Sequence, residues 1–319
     1  MIVSFLDLLG FSQLLEISTE IALDNANSFS REIERRIMDR RSTEEYIEKY
    51  PDGRNFAENS IGTSFDHLIS FSDSLILGSK NIELFVRQLC NFVSSLYIIS
   101  AEPFREPFED VFNVYSKVIS SYENGMPRYH KAFPILFRGG LSVGGDCFFF
   151  EQPYIKNGVF CNDGYNVFGK TYLNAVKLEK SGKGPRLFCD RSVVDNIQNK
   201  RIIREIDKKN GIFEIAWTIE GCETLSCCSE AWNNVMEAVD SKLLPPAINF
   251  VKFYNSNQKY EMILPHYSEL LKLVCRGIVK YAEDECNEGG KALEKINFLL
   301  GEAGLSKYIL SDLLDGFIE

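Results

Sequence analysis

Apolar and polar positions change their period several times along the chain. Ile2 to Leu9 is almost wholly apolar and short, the pattern of a strand buried on both faces, and Gly10 ends it. From Phe11 to about Arg41 the period lengthens to that of a helix. Leu14, Leu15, Ile21, Ala22, Phe29 and Ile33 form one broad face, and charge gathers on the other. Residues 42–62 are polar, with Pro51, Gly53 and Gly62, and are expected to form a loop or insertion. Alternation returns in "FDHLISFSDSLIL", Phe65 to Leu77, where the small polar pair Asp73-Ser74 predicts a hairpin turn.

An amphipathic helix is expected over 81–101. Residues 102–133 carry Pro103, Pro107 and Pro127 with little periodicity and read as a long loop. "ILFRGGLSVGG", 135–145, is a glycine-studded strand, and glycines in a strand mark the close approach of backbone or ligand. A helix over Thr171 to Ser181 is stopped by Gly182 and Gly184. A strand at 186–189, a helix near 191–199 and strands near 201–206 and 212–217 follow. Beyond residue 219 only helical periods remain, near 228–242, 246–256, 267–283, 288–300 and 305–317.

The order strand, helix, strand, strand, helix, strand is the ferredoxin-like split βαβ arrangement. The chain is therefore expected to be α+β, with an α/β domain over 1–217 and a helical C-terminal region over 218–319. Composition agrees with a folded domain: 45% of residues are apolar, 25% are charged, and there are 24 Phe to fill a core. The net charge of −10 argues against a general nucleic-acid binder. No apolar run reaches the length of a membrane span. Asp7 interrupts the first apolar stretch, which lacks a basic leader, so a signal peptide is not expected. The nine Cys form no C-x-x-C pair and read as reduced thiols of a cytoplasmic protein. The three His, His67, His130 and His266, are too scattered for a His-rich metal site.

Chemistry is suggested at three places. "GYNVFGKT", Gly164 to Thr171, satisfies the pattern of a phosphate-binding P-loop, with Asp190 as a possible second carboxylate. Its middle, Tyr-Asn-Val-Phe, is too bulky for a loop that must curl around phosphates and reads as a short extended segment. Asp7 lies inside an apolar strand, where a lone carboxylate is costly, and Asp73 has the same place in its hairpin. A ferredoxin-like sheet sets the first strand beside that hairpin, so the two carboxylates can meet at one edge. Together they suit a hard divalent cation such as Mg²⁺ or Mn²⁺; separately, Asp7 caps a helix and Asp73 is a turn residue. The turn after Asp7, Gly10-Phe11-Ser12, opens a helix whose first N–H groups suit phosphate.

"FLDLLGFS", "FSDSLIL", "FRGGLSVG" and "YNVFGKTYLNAVKLEKSG", in that order, resemble the class III nucleotide cyclases. Gly169, Thr171, Ala175, Leu178, Glu179 and Gly182 fall on that family's helix pattern, and the likeness covers about residues 1–217. The resemblance implies that Asp7 and Asp73, with the Leu8 carbonyl, hold two Mg²⁺ or Mn²⁺ ions. The 3′-hydroxyl of a nucleoside triphosphate would then attack its α-phosphate. It also implies that the N–H groups of Gly10, Phe11 and Ser12 cradle the outer phosphates, and that a homodimer shares two sites.

The departures from the family narrow the reading. The two base-reading positions hold Ile69, which cannot hydrogen-bond, and Asn166, which offers one acceptor and one donor group. The transition-state Asn aligns with Leu173, and Asn174 points about 100° away on the helix. The family Arg aligns with Lys177, a point charge rather than a fork. These features look like the pyrimidine cyclases of Pycsar anti-phage systems, which also carry a helical C-terminal part. That likeness implies UTP or CTP as substrate, UTP first because most of the branch is thought to use it. It also implies a cyclic nucleotide read by a separate effector protein. Arg138 is either a phosphate or partner contact or a structural residue. Lys180, Lys183 and Arg186 around "KSGKG" are either a solvated helix end or an aid to the triphosphate. Three classes of function stand: pyrimidine cyclase, P-loop nucleotidase, and an inactive cyclase-like dimeric or regulatory module.

Overall fold

The computed structural model describes residues 1–33, 64–223, 225, 230–309 and 315–318. The loop expected at 42–62 lies outside them, as do the end of the first helical stretch and part of the last. Strand β1, Ile2–Leu8, alternates as a strand with both faces covered must: Ile2, Leu6 and Leu8 enter one apolar core, Val3 a second. The helical stretch that follows is two helices, α1 (Phe11–Ile17) and α2 (Thr19–Ile33), parted at Ser18, which is extended. The break turns Leu15 to solvent, whereas Leu14, Ile21, Ala22 and Phe29 are buried as expected. The hairpin falls where alternation placed it, with β2 (His67–Phe71) and β3 (Ser74–Ser79) joined through Ser72 and Asp73.

Helix α3, Ile82–Ser100, is capped by the Asn81 side chain on the Leu84 amide. By length and composition it could cross a membrane, but most of it is buried in the fold. The stretch 102–133 is not the loop expected. It contains a hairpin, β4 (Tyr115–Glu123) and β5 (Met126–Lys131), turned through Asn124-Gly125, both with positive φ. After β6 (Phe137–Val143) a second unexpected hairpin appears, β7 (Cys147–Lys156) and β8 (Val159–Gly169), turned through Asn157-Gly158, again both with positive φ. Asn-Gly is the strongest short hairpin signal; here weak strand alternation around it hid both.

Helix α4 (Lys170–Glu179) leads to β9 (Leu187–Asp190), the short α5 (Arg191–Val194), β10 (Ile203–Asp207) and β11 (Ile212–Ile215). The main sheet runs β10-β11-β9-β6-β1-β3-β2. Its β6-β1-β3-β2 part is antiparallel throughout, which is the ferredoxin-like core the element order calls for. Helix α4 and the β7–β8 hairpin lie on one face of this core. There Tyr172 packs edge-on to Phe5, and Ile69 and Phe149 join Val3, Ile76 and Val167.

The C-terminal part is helical: α6 (Trp217–Glu223), α7 (Ala231–Glu237) running into a π-helical turn (Ala238–Lys242), α8 (Leu244–Ser256), α9 (Leu264–Cys286) and α10 (Gly289–Glu302). It shares one apolar core with the other face of the sheet. Buried hydrogen bonds tie it to the rest of the fold: Tyr97 Oη donates to the Leu243 carbonyl at 2.9 Å, Trp217 Nε1 to the Pro185 carbonyl at 2.8 Å, and Asn249 Nδ2 to the Phe104 carbonyl at 3.0 Å. Tyr97→Phe leaves the Leu243 carbonyl without its donor, so the variant should lose about 1 kcal/mol in denaturant unfolding.

Candidate active site

The register of β1 sets the site. Asp7 lies opposite Ser74 of β3 and Arg138 of β6, and the Leu8 amide donates to the Asp73 carbonyl at 2.8 Å. The two carboxylates thus share one sheet edge, as the split βαβ order requires. Ser74 Oγ donates to Asp7 Oδ1 at 3.4 Å. Burial first, then the negative charges of Asp73 and Glu179, push the Asp7 carboxyl up to about 6; Arg138 and the Ser74 hydroxyl pull the other way. Two carboxylates at a half-buried edge whose charges resist one another form a donor set that a hard divalent cation relieves. Among the described residues no group of three or more His, Cys, Asp or Glu side chains could hold a metal. A cation at this edge would therefore take its remaining oxygens from backbone, water or substrate.

A cavity of about 320 Å³ opens over this edge. Asp7, Leu8 and Asp73 line it, together with the turn Gly10, Phe11 and Ser12. Gly10 has φ 82°, a left-handed conformation that suits glycine, and no side chain caps the helix start that follows. Arg138 lines the same cavity. Its guanidinium is paired with Glu179, which is 3% exposed at the end of α4, so Arg138 is held in place from behind.

Ile69, Asn166 and Lys177 do not line this cavity. Ile69 packs in the apolar cluster under the β7–β8 hairpin. Asn166 is exposed on β8, where its Nδ2 donates to Gln152 Oε1 at 2.5 Å and its Oδ1 accepts from the Val167 amide. Lys177 is exposed on α4, and so is Leu173 one turn before it.

"GYNVFGKT" is not a phosphate loop. Gly164 to Gly169 is strand, paired residue by residue with Gln152 to Cys147. Its second glycine and its threonine have structural reasons. A Cβ on Gly169, which has φ 131°, would lie 1.8 Å from the Asp146 carbonyl oxygen, and Thr171 Oγ1 donates to Asp146 Oδ1 at 2.8 Å. Asp190, the alternative metal carboxylate, caps α5 and accepts from the Ser142 and Ser192 hydroxyls.

The residues that composition and spacing missed are on the C-terminal side. Tyr254, Met262, Ile263, His266 and Tyr267 line the cavity together with the carboxylates. No local pattern marks them; they reach the site only because α8 and α9 fold back against the sheet.

No family model matches the chain, and no curated protein matches it. Among solved structures, the chain is similar to one of adenylate cyclases from Trypanosoma brucei in their monomeric state. The identity is 13% and the TM-score 0.37, over 68% of this chain and 89% of that chain.

Proposed function

We propose that the chain is a nucleotide cyclase of the class III kind that converts a pyrimidine nucleoside triphosphate, UTP foremost, into its 3′,5′-cyclic monophosphate and pyrophosphate. The observation that carries this reading is the meeting of Asp7 and Asp73 at one sheet edge over the uncapped Gly10–Ser12 turn. The two carboxylates and the Leu8 carbonyl would hold two Mg²⁺ or Mn²⁺ ions, which when bound acidify a hydroxyl and neutralise phosphate charge.

The chain's own residues would do the rest. The N–H groups of Gly10, Phe11 and Ser12 would meet the outer phosphates. Arg138, steadied by Glu179, offers a cation beside Asp7. Ile69 gives a base no hydrogen bond; Asn166, which stands outside the cavity of its own protomer, would read the base of the partner's site after turning from Gln152, since an amide matches a pyrimidine edge in either orientation. Lys177 stands outside the cavity of its own protomer, which fits a homodimer in which this lysine completes the partner's site. The product would act as a second messenger, read by a separate effector in an anti-phage response, in a cytoplasmic setting and with no nucleic acid or membrane partner.

Incubating the protein with each of the four ribonucleoside triphosphates and Mn²⁺, with products read by mass spectrometry, tests the base. Cyclic UMP should dominate. Cyclic CMP would move the assignment to CTP. A purine product alone would overturn the roles given to Ile69 and Asn166, and no turnover would favour the inactive module.

A further inference from the structure

The cavity brings Arg138, Lys183 and His266 together with the two carboxylates, although the protein as a whole is acidic. Lys183 lies in the turn between α4 and β9 and lines the cavity with Arg138 and His266. Among the described residues, Arg138 is paired with Glu179, while Lys183 makes no ion pair. His266 belongs to the first turn of α9, and its Nδ1 accepts from the Gly184 amide at 3.1 Å. That bond keeps Nδ1 unprotonated, so the ring is neutral and Nε2–H is a donor. Burial, with the nearby charges of Arg138 and Lys183, lowers the His266 pKa and holds it in this form. The bond also ties the Lys183 turn to α9, against which Gly184 packs so closely that a Cβ would lie 2.6 Å from Glu269 Cβ.

One ammonium without a carboxylate partner and one fixed imidazole donor share a cavity with two carboxylates. This arrangement suits a ligand that is anionic at one end and metal-bridged at the other. Resting on the cyclase reading, we propose that Lys183 and His266 form the receptor for the terminal phosphates of the triphosphate, and hold the pyrophosphate until it leaves. The C-terminal helices are then part of the substrate site: they bring His266 to the phosphates and lock the turn that carries Lys183.

Magnesium pyrophosphate is the probe, titrated calorimetrically into the full-length protein. Lys183 is exposed, so Lys183→Ala should fold normally and bind pyrophosphate at least tenfold more weakly. His266→Ala should weaken binding severalfold, and His266→Asn, which keeps a donor, should recover part of the loss. Lys209→Ala, an exposed lysine in the β10–β11 turn, should bind as wild type. Thermal unfolding of each variant guards against a folding artefact.

Wild-type affinity in both Lys183→Ala and His266→Ala overturns the proposal, as does failure of the wild-type protein to bind pyrophosphate. The two readings separate cleanly. Cyclic product with an unchanged KM in both variants leaves the cyclase and removes the receptor. Loss of pyrophosphate binding in Lys183→Ala, in a protein that makes no cyclic product, keeps the anion receptor and removes the cyclase.

Discussion

Asp7→Asn should give a protein that is more stable than the wild type and inactive. In the native fold the Asp7 carboxyl is raised from 3.8 to about 6, chiefly by burial and by Asp73. A carboxylate whose folded pKa lies above its unfolded value destabilises the fold when ionised. The stability linked to its protonated form is complete below about pH 3.8 and is lost as the pH rises through about 6. At neutral pH the metal-free protein therefore carries an unfavourable charge, which Asn removes with almost no change of shape. The gain should be about 1 kcal/mol after discounting for solvent at a half-buried edge, read by denaturant unfolding in chelator. Activity should fall on the order of 10³-fold or more, because a preorganised charge at the reacting phosphate is lost. Adding Mn²⁺ should raise the melting temperature of the wild type and not of the variant. In the wild type, Mn²⁺ binding should weaken as the pH drops below about 6, where the metal-free Asp7 takes up a proton that competes with the cation. A variant both destabilised and active would mean that Asp7 is a structural residue.

Gly140→Ala should cost about 3 kcal/mol or more. Gly140 sits in β6 under α4, where a Cβ would lie 2.0 Å from the Ala175 carbonyl oxygen and 2.7 Å from the Glu179 amide nitrogen. Both atoms are helix backbone, so the helix itself must lift. Overpacking usually costs about 1–3 kcal/mol, and side chains can often absorb part of it; here none can. Lifting α4 would also withdraw Glu179 from Arg138 and disturb the cation beside Asp7. The neighbouring Gly139 makes a useful contrast, because its nearest obstacle, at 2.4 Å, is the tip of the Leu6 side chain, which can rotate. Gly139→Ala should therefore cost less, and Gly145→Ala, which meets nothing within 4 Å, should be close to neutral. Equilibrium unfolding of the three variants should rank them in that order.

Those glycines show how far the sequence could be read. That "FRGG" marks a close approach was legible from glycine in an apolar strand, but not that the approaching element is α4. The Asp7 strand, the Asp73 hairpin and the order that joins them were also legible, because local alternation and the split βαβ rule decide them. The β4–β5 and β7–β8 hairpins were missed. Their strands are largely exposed, so burial imposes no clear alternation, and only Asn124-Gly125 and Asn157-Gly158 announce them. Ser18 split a helix whose apolar period runs on unbroken, and Leu15 went to solvent with the change of axis. The C-terminal lining of the cavity was invisible for a different reason. His266 and Tyr267 come to Asp7 from more than 250 positions away in the chain, through helix packing that no local pattern encodes.

The Asp7–Asp73 edge is proposed to make a ring from a triphosphate rather than to cut its terminal phosphate. Phosphorus NMR of the protein with UTP and Mg²⁺ measures this directly. Cyclic UMP and pyrophosphate should grow in equal amounts as UTP falls, and neither should form with Asp7→Asn. Inorganic phosphate with UDP, or UTP left intact, would contradict it.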